Sequence, residues 1–200
     1  MVIKAILAGA AWVLTPTLAL AHHAMGGQLP DGPLTGLLSG LGHPVIGIDH
    51  LAFVVGIGVL SASARLGSGP LLGFVGGTLA GCLLHVAGAE LPLAEAAVAL
   101  SLLVMAGLLA LGRSPAPGRL LVLAAAGLAH GYAYGESIVG AEPVAVGAYL
   151  VGFSLVQAAI ALGAAGLVRS LAAAAPGRLA AAANLSAVLL VLVGGALLIG

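Results

Sequence analysis

Residues 43–63 read HPVIGIDHLAFVVGIGVLSAS, an apolar segment that begins with two histidines and an aspartate. Its length is enough to cross a membrane as one helix, which needs about 20 residues. After His50 the segment contains no further ionisable side chain. Ionisable groups within a membrane are costly unless they have partners, so His43, Asp49 and His50 predict a functional site.

The composition of the whole chain agrees with a membrane protein. Of its 200 residues, 62% are hydrophobic and only 6% are charged, and the mean hydropathy is +1.24. These values are typical of an integral membrane protein, whose partner is the lipid bilayer. Six basic and six acidic residues cancel, so no net charge favours nucleic acid as a partner. A single cysteine, Cys82, excludes an internal disulfide.

The N-terminal segment 1-MVIKAILAGAAWVLTPTLALA-21 has the pattern of a cleaved signal peptide. A lysine precedes an apolar stretch, and small residues stand where signal peptidase cleaves. Cleavage after Ala21 would leave His22 and His23 at the start of a periplasmic segment over residues 22–42. The alternative is an uncleaved anchor helix, although Pro16 would interrupt it.

Six apolar segments predict six transmembrane helices in residues 43–200. Glycine and proline mark the breaks between them, as expected of turns. We therefore predict an all-α fold, a polytopic bundle of six transmembrane helices after a signal peptide, with no soluble domain. The segments lie at 43–63, 70–89, 92–111, 120–140, 143–168 and 180–199.

The arginines predict how the bundle is oriented. All five follow the first, third or fifth predicted helix, at Arg65, Arg113, Arg119, Arg169 and Arg178. By the positive-inside rule these loops are cytoplasmic, so both ends of the mature chain would be periplasmic in a bacterial inner membrane. All six histidines and all six carboxylates then lie outside the membrane or in its outer half.

The spacing of the histidines predicts a metal site. On a continuous helix His43 and His50 would share a face, about 10 Å apart along the axis, with Asp49 beside His50. His130 and Tyr134 lie one turn apart in the fourth predicted helix. Imidazole and carboxylate ligands suit nickel, cobalt, zinc or copper better than magnesium or calcium. We expect such an ion as a substrate, with no permanently bound cofactor.

The pattern His43-Pro44-x-x-Gly47-x-Asp49-His50 resembles the signature of the HupE/UreJ family, membrane nickel permeases associated with hydrogenase and urease maturation. The dipeptide at 130–131 and the sequence 91-LPLAE-95 resemble two further family motifs. The family pattern has histidines where this chain has Tyr132 and Tyr134, which predicts a more oxygen-rich site. The resemblance implies a metal path formed by His43, Asp49, His50, Glu95, His130 and Glu136, and we add His85, His22 and His23 as candidate ligands.

We therefore expect a permease, not an enzyme, that moves Ni²⁺ or Co²⁺ from the periplasm to the cytoplasm. The chain has no phosphate-binding loop for ATP. The alternatives are a membrane metal sensor or storage protein, a haem-binding membrane anchor, or a hydrolase with Ser137 or Ser154 as nucleophile and His130 as base. The sequence leaves the metal selectivity, the energy source and the oligomeric state open, with a homo-oligomer as one option.

Overall fold

The structure is a computed structural model, and it describes residues 28–112, 118–175 and 177–199. All regular secondary structure in these ranges is α-helical. The predicted signal peptide, its cleavage site at Ala21, and His22 and His23 lie outside the described residues. The seven helices described are α1 (Pro33–Ile46), α2 (Ile48–Ser63), α3 (Gly69–Val86), α4 (Ala94–Leu111), α5 (Arg119–Glu136), α6 (Pro143–Ala174) and α7 (Gly177–Ile199).

A sharp bend at Gly47 separates α1 from α2. The two helices differ in direction by 80°, where the sequence predicts one continuous helix over residues 43–63. Pro44 lies near the end of α1 and has no N–H for a helical hydrogen bond, so the helix stops soon after it. Gly47 is extended, with φ −71° and ψ 109°. The predicted helix start at residue 43 is therefore wrong, because α1 already begins at Pro33.

Within the described residues, four or five helices have the length and composition of a membrane span, where the sequence predicts six. α3, α4, α6 and α7 are each long and apolar enough to cross a membrane, and the bent pair α1–α2 makes a fifth if it crosses as one broken span. The predicted span 120–140 forms α5, which does not meet the same criterion. Its composition is less apolar because it carries Arg119, His130 and Glu136. Six spans are thus not confirmed.

Glycines hold α5 tightly against α3. A Cβ atom at Gly77 or Gly81 of α3 would overlap the backbone of α5, and one at Gly127 or Gly131 of α5 would overlap the backbone of α3. The four-residue spacing of these glycines predicts a packing face, and the structure confirms it. Small residues let helix backbones touch in lipid, where no hydrophobic force drives helices together. This contact packs the more polar α5 closely against α3.

A second glycine contact joins α1 to α6. A Cβ atom at Gly36 or Gly40 of α1 would overlap the backbone of α6, and Gly152 of α6 has the same relationship to α1. α2 packs against α6, α7 and α4, and nearly every residue from Phe53 to Ser63 is buried. The start of α2 therefore lies in the interior, close to both the end of α1 and the outer part of α5.

Candidate metal centre

Three of the predicted ligands, His43, His50 and His130, meet between α1, α2 and α5, and we call them the histidine cluster. Their side chains are completely or almost completely buried. The Nδ1 atoms of His50 and His130 lie 2.8 Å apart, and the ring centroids of His43 and His50 are 5.5 Å apart. On a straight helix these last two would be separated by about 10 Å along the axis. The bend at Gly47 brings them together.

Asp49 adds a carboxylate beside the cluster. It lies in the first turn of α2 and is only 5% exposed, and its Oδ2 atom is 3.8 Å from Nδ1 of His50. A Cβ atom at Gly47 would lie 2.5 Å from Cδ2 of His50 and 3.1 Å from Oδ1 of Asp49. A glycine at the bend is therefore needed for both side chains to occupy these positions. A buried carboxylate favours the binding of a cation, which offsets its cost of burial.

Ser101 of α4 contacts the far side of His130. Its Oγ atom lies 2.9 Å from Nε2 of His130, and the same hydroxyl donates to the carbonyl oxygen of Val98 at 2.7 Å. His130 is thus held from two sides, by Ser101 through Nε2 and by His50 through Nδ1.

Two hydroxyl groups hold His43 in place. Its Nδ1 atom is 2.9 Å from the Tyr149 hydroxyl and 3.1 Å from Ser137 Oγ. Both hydroxyls also contact the carbonyl oxygen of Tyr134, at 2.9 Å and 3.1 Å. The two hydroxyls also lie 3.1 Å from each other, where either can donate. In the arrangement in which both donate to the carbonyl oxygen, the Nδ1–H of His43 donates to them. The Nε2 atom of His43 then carries the lone pair that a metal ligand needs.

Aromatic rings surround the cluster. The ring of Tyr134 meets His43 and His50 edge-on, with centroid distances of 4.9 Å and 4.5 Å. Phe53 contacts His130 at 4.6 Å and is stacked on Phe74 at 4.8 Å. The two phenylalanines, both buried, close the cluster off from the apolar interior further along α2.

The structure does not bring the predicted ligands His85, Glu95 and Glu136 into the cluster. His85 is half-buried; its ring stacks on Tyr132 at 4.1 Å and its Nδ1 atom lies 2.6 Å from the Tyr132 carbonyl oxygen. Glu95 and Glu136 are exposed. In the ranges that the structure describes, no group of three or more His, Cys, Asp or Glu side chains is arranged to hold a metal ion. The clustered histidines are instead hydrogen-bonded to each other and to hydroxyls.

The family profile described as HupE / UreJ protein matches residues 10–197, nearly the whole chain. The chain belongs to the HupE/UreJ family. Proteins of this family are transporters and accessory proteins in nickel and cobalt transport, and they are not enzymes. The apolar helices and the family together make this chain a membrane protein. Searches among curated proteins and among solved structures found no match.

Two residues that hydrogen-bond to the cluster in this HupE/UreJ protein were not predicted from the sequence, Ser101 and Tyr149. Ser101 is the only hydroxyl residue of α4, and Tyr149 lies one turn and a half into α6. A hydroxyl side chain in the apolar middle of α4 is the signal that could have revealed Ser101. The sequence suggests Ser137 only as a nucleophile paired with His130, whereas the structure places its hydroxyl beside His43 and within hydrogen-bond distance of the Tyr134 carbonyl oxygen.

Proposed function

We propose that this HupE/UreJ protein carries Ni²⁺ or Co²⁺ across the bacterial inner membrane, from the periplasm to the cytoplasm, for hydrogenase or urease maturation. The observation that carries the proposal is the burial of His43, His50 and His130 beside Asp49 at a broken helix. Imidazole nitrogens with a carboxylate suit these borderline metals. Broken helices within a bundle are a recurrent location of ion sites in transporters.

The direction of transport is inferred from the arginines. Arg65 follows α2, Arg119 begins α5 and Arg169 lies in the last part of α6, so all three are at helix ends remote from the cluster. If these ends are cytoplasmic, the cluster faces the periplasm. A potential of 100 mV, negative inside, then favours inward movement of a doubly charged ion by about 4.6 kcal/mol.

An apolar barrier separates the cluster from the arginine end of the bundle. An ion leaving His130 would meet the stacked pair Phe53 and Phe74. Beyond this pair most buried side chains of the bundle are apolar, and they include Ile57, Leu60, Leu102 and Met105. A divalent ion does not enter such a layer without water or ligands. Since Phe53 contacts His130 directly, we infer that displacement of His130 by the bound metal is transmitted to the aromatic pair and opens the barrier.

The proposal is tested by uptake of radiolabelled Ni²⁺ and Co²⁺ into proteoliposomes that contain the full chain. We expect His50→Gln to lower the uptake rate at least tenfold, because it removes an imidazole from the centre of the cluster. His85→Gln is the matched control, a histidine outside the cluster, and should retain uptake. Uptake by His50→Gln at the rate of the unsubstituted protein would reject the proposal, as would unsubstituted protein no faster than empty liposomes.

The aromatic barrier also favours a second candidate, a sensor or storage protein that binds the metal without moving it. The uptake assay together with a Ni²⁺ titration of the protein in detergent distinguishes the two, since a sensor would bind Ni²⁺ yet give no time-dependent uptake. The haem-anchor alternative has less support: Tyr134 packs against the ring of His50 at 4.5 Å and Phe53 against the ring of His130 at 4.6 Å, where a porphyrin would need to lie. We expect no Soret absorption band from the purified protein.

A further inference from the structure

We propose that Ser101 is a positioning residue that selects Nδ1 of His130 as the nitrogen that binds the metal. This inference rests on the proposed function of the histidine cluster and extends it to α4, a helix that contributes no ligand to the cluster. It concerns the position of one hydrogen atom on one imidazole ring.

The first step is the direction of the hydrogen bond between Ser101 and His130. The Ser101 hydroxyl has one hydrogen atom, and a contact of 2.7 Å to the Val98 carbonyl oxygen requires that this hydrogen lie between them. Ser101 Oγ can then only accept from His130, 2.9 Å away. The hydrogen atom of this second bond therefore belongs to Nε2 of His130.

The second step concerns the opposite side of the ring. A neutral imidazole carries one N–H, so with Nε2 protonated the Nδ1 atom of His130 has a lone pair. That lone pair faces Nδ1 of His50 at 2.8 Å, and so His50 donates. The hydrogen bonds form one directed chain, from His50 through His130 and Ser101 to the Val98 carbonyl oxygen. Nδ1 of His130, the nitrogen that faces the cluster, therefore has a lone pair available to bind a metal.

The third step is the rigidity of this arrangement. Ser101 is 7% exposed and His130 is fully buried, so water cannot readily replace either partner. The bond to Val98, three residues earlier in the same helix, holds the serine side chain against its own backbone. Without the hydroxyl, an Nε2–H would be buried with no acceptor, and the hydrogen would move to Nδ1, where it competes with the metal. Loss of such an outer hydrogen-bond partner typically weakens metal binding by about 10–100-fold.

The test compares four variants of the full chain in lipid nanodiscs: Ser101→Ala, Ser101→Thr, Ser101→Val and Ser63→Ala. Threonine and valine have the same shape but differ by the hydroxyl, so this pair isolates the hydrogen bond from packing. Ser63 is a matched control, because its buried hydroxyl also donates to a carbonyl oxygen of its own helix, at 2.7 Å. It lies 13 residues beyond His50 in α2, about 20 Å along the axis.

Two quantities are measured: the tautomer of His130, by ¹⁵N NMR of histidine-labelled protein without added metal, and the Kd for Ni²⁺, by titration calorimetry. We expect the Nε2–H tautomer in the unsubstituted protein, Ser101→Thr and Ser63→Ala, and a shift toward Nδ1–H in Ser101→Ala and Ser101→Val. The Kd should rise about 10–100-fold in these last two variants only.

An unchanged tautomer or an unchanged Kd in Ser101→Val relative to Ser101→Thr would overturn the inference, even if Ser101→Ala failed to fold. If the unsubstituted protein bound no Ni²⁺ or Co²⁺, the proposed function would be rejected, and with it the role of Ser101 in metal binding. The NMR measurement needs no metal, so it would still show whether Ser101 sets the tautomer of His130.

Discussion

The Nδ1 atoms of His50 and His130 lie 2.8 Å apart, which is a hydrogen-bond distance. A metal bound to both atoms at about 2.0–2.1 Å would hold them about 3–4 Å apart, depending on the angle at the metal. Binding to both atoms would therefore replace the hydrogen between them with an ion and move the rings apart by up to roughly 1 Å. Since α2 and α5 carry these rings, we expect the larger separations to move the two helices.

The proximity of the two Nδ1 atoms predicts that His50 and His130 are both ligands of the bound metal. We expect X-ray absorption spectra of Ni²⁺ on the purified protein to show at least two imidazole ligands, and His130→Gln to lose one of them. His85→Gln, which alters a histidine that stacks on Tyr132 outside the cluster, should leave the spectrum unchanged. Equal imidazole numbers in His130→Gln and the unsubstituted protein would contradict this assignment.

The bend between α1 and α2 predicts a specific role for Gly47. Alanine can adopt its backbone conformation, φ −71° and ψ 109°, so Gly47→Ala should fold with the same helix content by circular dichroism. The added Cβ would lie 2.5 Å from Cδ2 of His50, and the ring must move. We expect Ni²⁺ affinity to fall at least tenfold.

Gly107→Ala is the control for this prediction. Gly107 lies in α4, and a Cβ atom there would meet nothing within 4 Å. We expect both the helix content and the metal affinity of this variant to equal those of the unsubstituted protein. A Gly47→Ala variant with unchanged affinity would show that the cluster tolerates movement of His50.

The contact between α3 and α5 predicts that Gly81→Ala strongly destabilises the protein. Its Cβ would overlap the backbone of Leu128, and neither backbone can move without separating the two helices. Overpacking of this kind typically costs about 1–3 kcal/mol, occasionally more. Gly76→Ala, in the same helix but with open space around the new Cβ, should be close to neutral. Thermal unfolding in detergent provides the comparison, and equal midpoints for the two variants would refute the packing argument.

The hydrogen bonds of His43 predict an effect of Tyr149→Phe. This change removes the hydroxyl that lies 2.9 Å from Nδ1 of His43 and leaves the hydrogen bond between that nitrogen and Ser137. We expect Ni²⁺ binding to weaken by about tenfold, the low end for loss of an outer hydrogen-bond partner. Adding Ser137→Ala should weaken it further, because His43 then loses both hydroxyls.

Tyr132→Phe is the matched control for Tyr149→Phe. The Tyr132 hydroxyl accepts from the backbone N–H of Leu91 at 3.1 Å, away from the cluster. Its removal should lower stability by about 1 kcal/mol without changing the Kd for Ni²⁺. If the two variants weakened metal binding equally, the effect of Tyr149→Phe would be on overall stability and not on His43.

The family and the membrane class could be predicted from the sequence. So could the functional importance of four residues that the structure buries together, His43, Asp49, His50 and His130. These features depend on composition and on short local patterns. The sequence pattern places His43 and His50 on one face of a straight helix. In the structure the bend at Gly47 brings them together instead. Proline is favoured in a first helical turn, so the sequence pattern alone does not distinguish that position for Pro44 from the end of α1, where the structure places it.

The sequence by itself determined that this chain is an apolar helical membrane protein of the HupE/UreJ family with rare ionisable residues suited to a transition metal. Only the tertiary structure decided which of them meet. It brought together histidines from three helices, left His85, Glu95 and Glu136 outside the cluster, and supplied Ser101 and Tyr149 as hydrogen-bond partners. The physical reason is that these contacts depend on the 80° bend at Gly47 and on glycine contacts between helices distant in sequence, which no local pattern specifies.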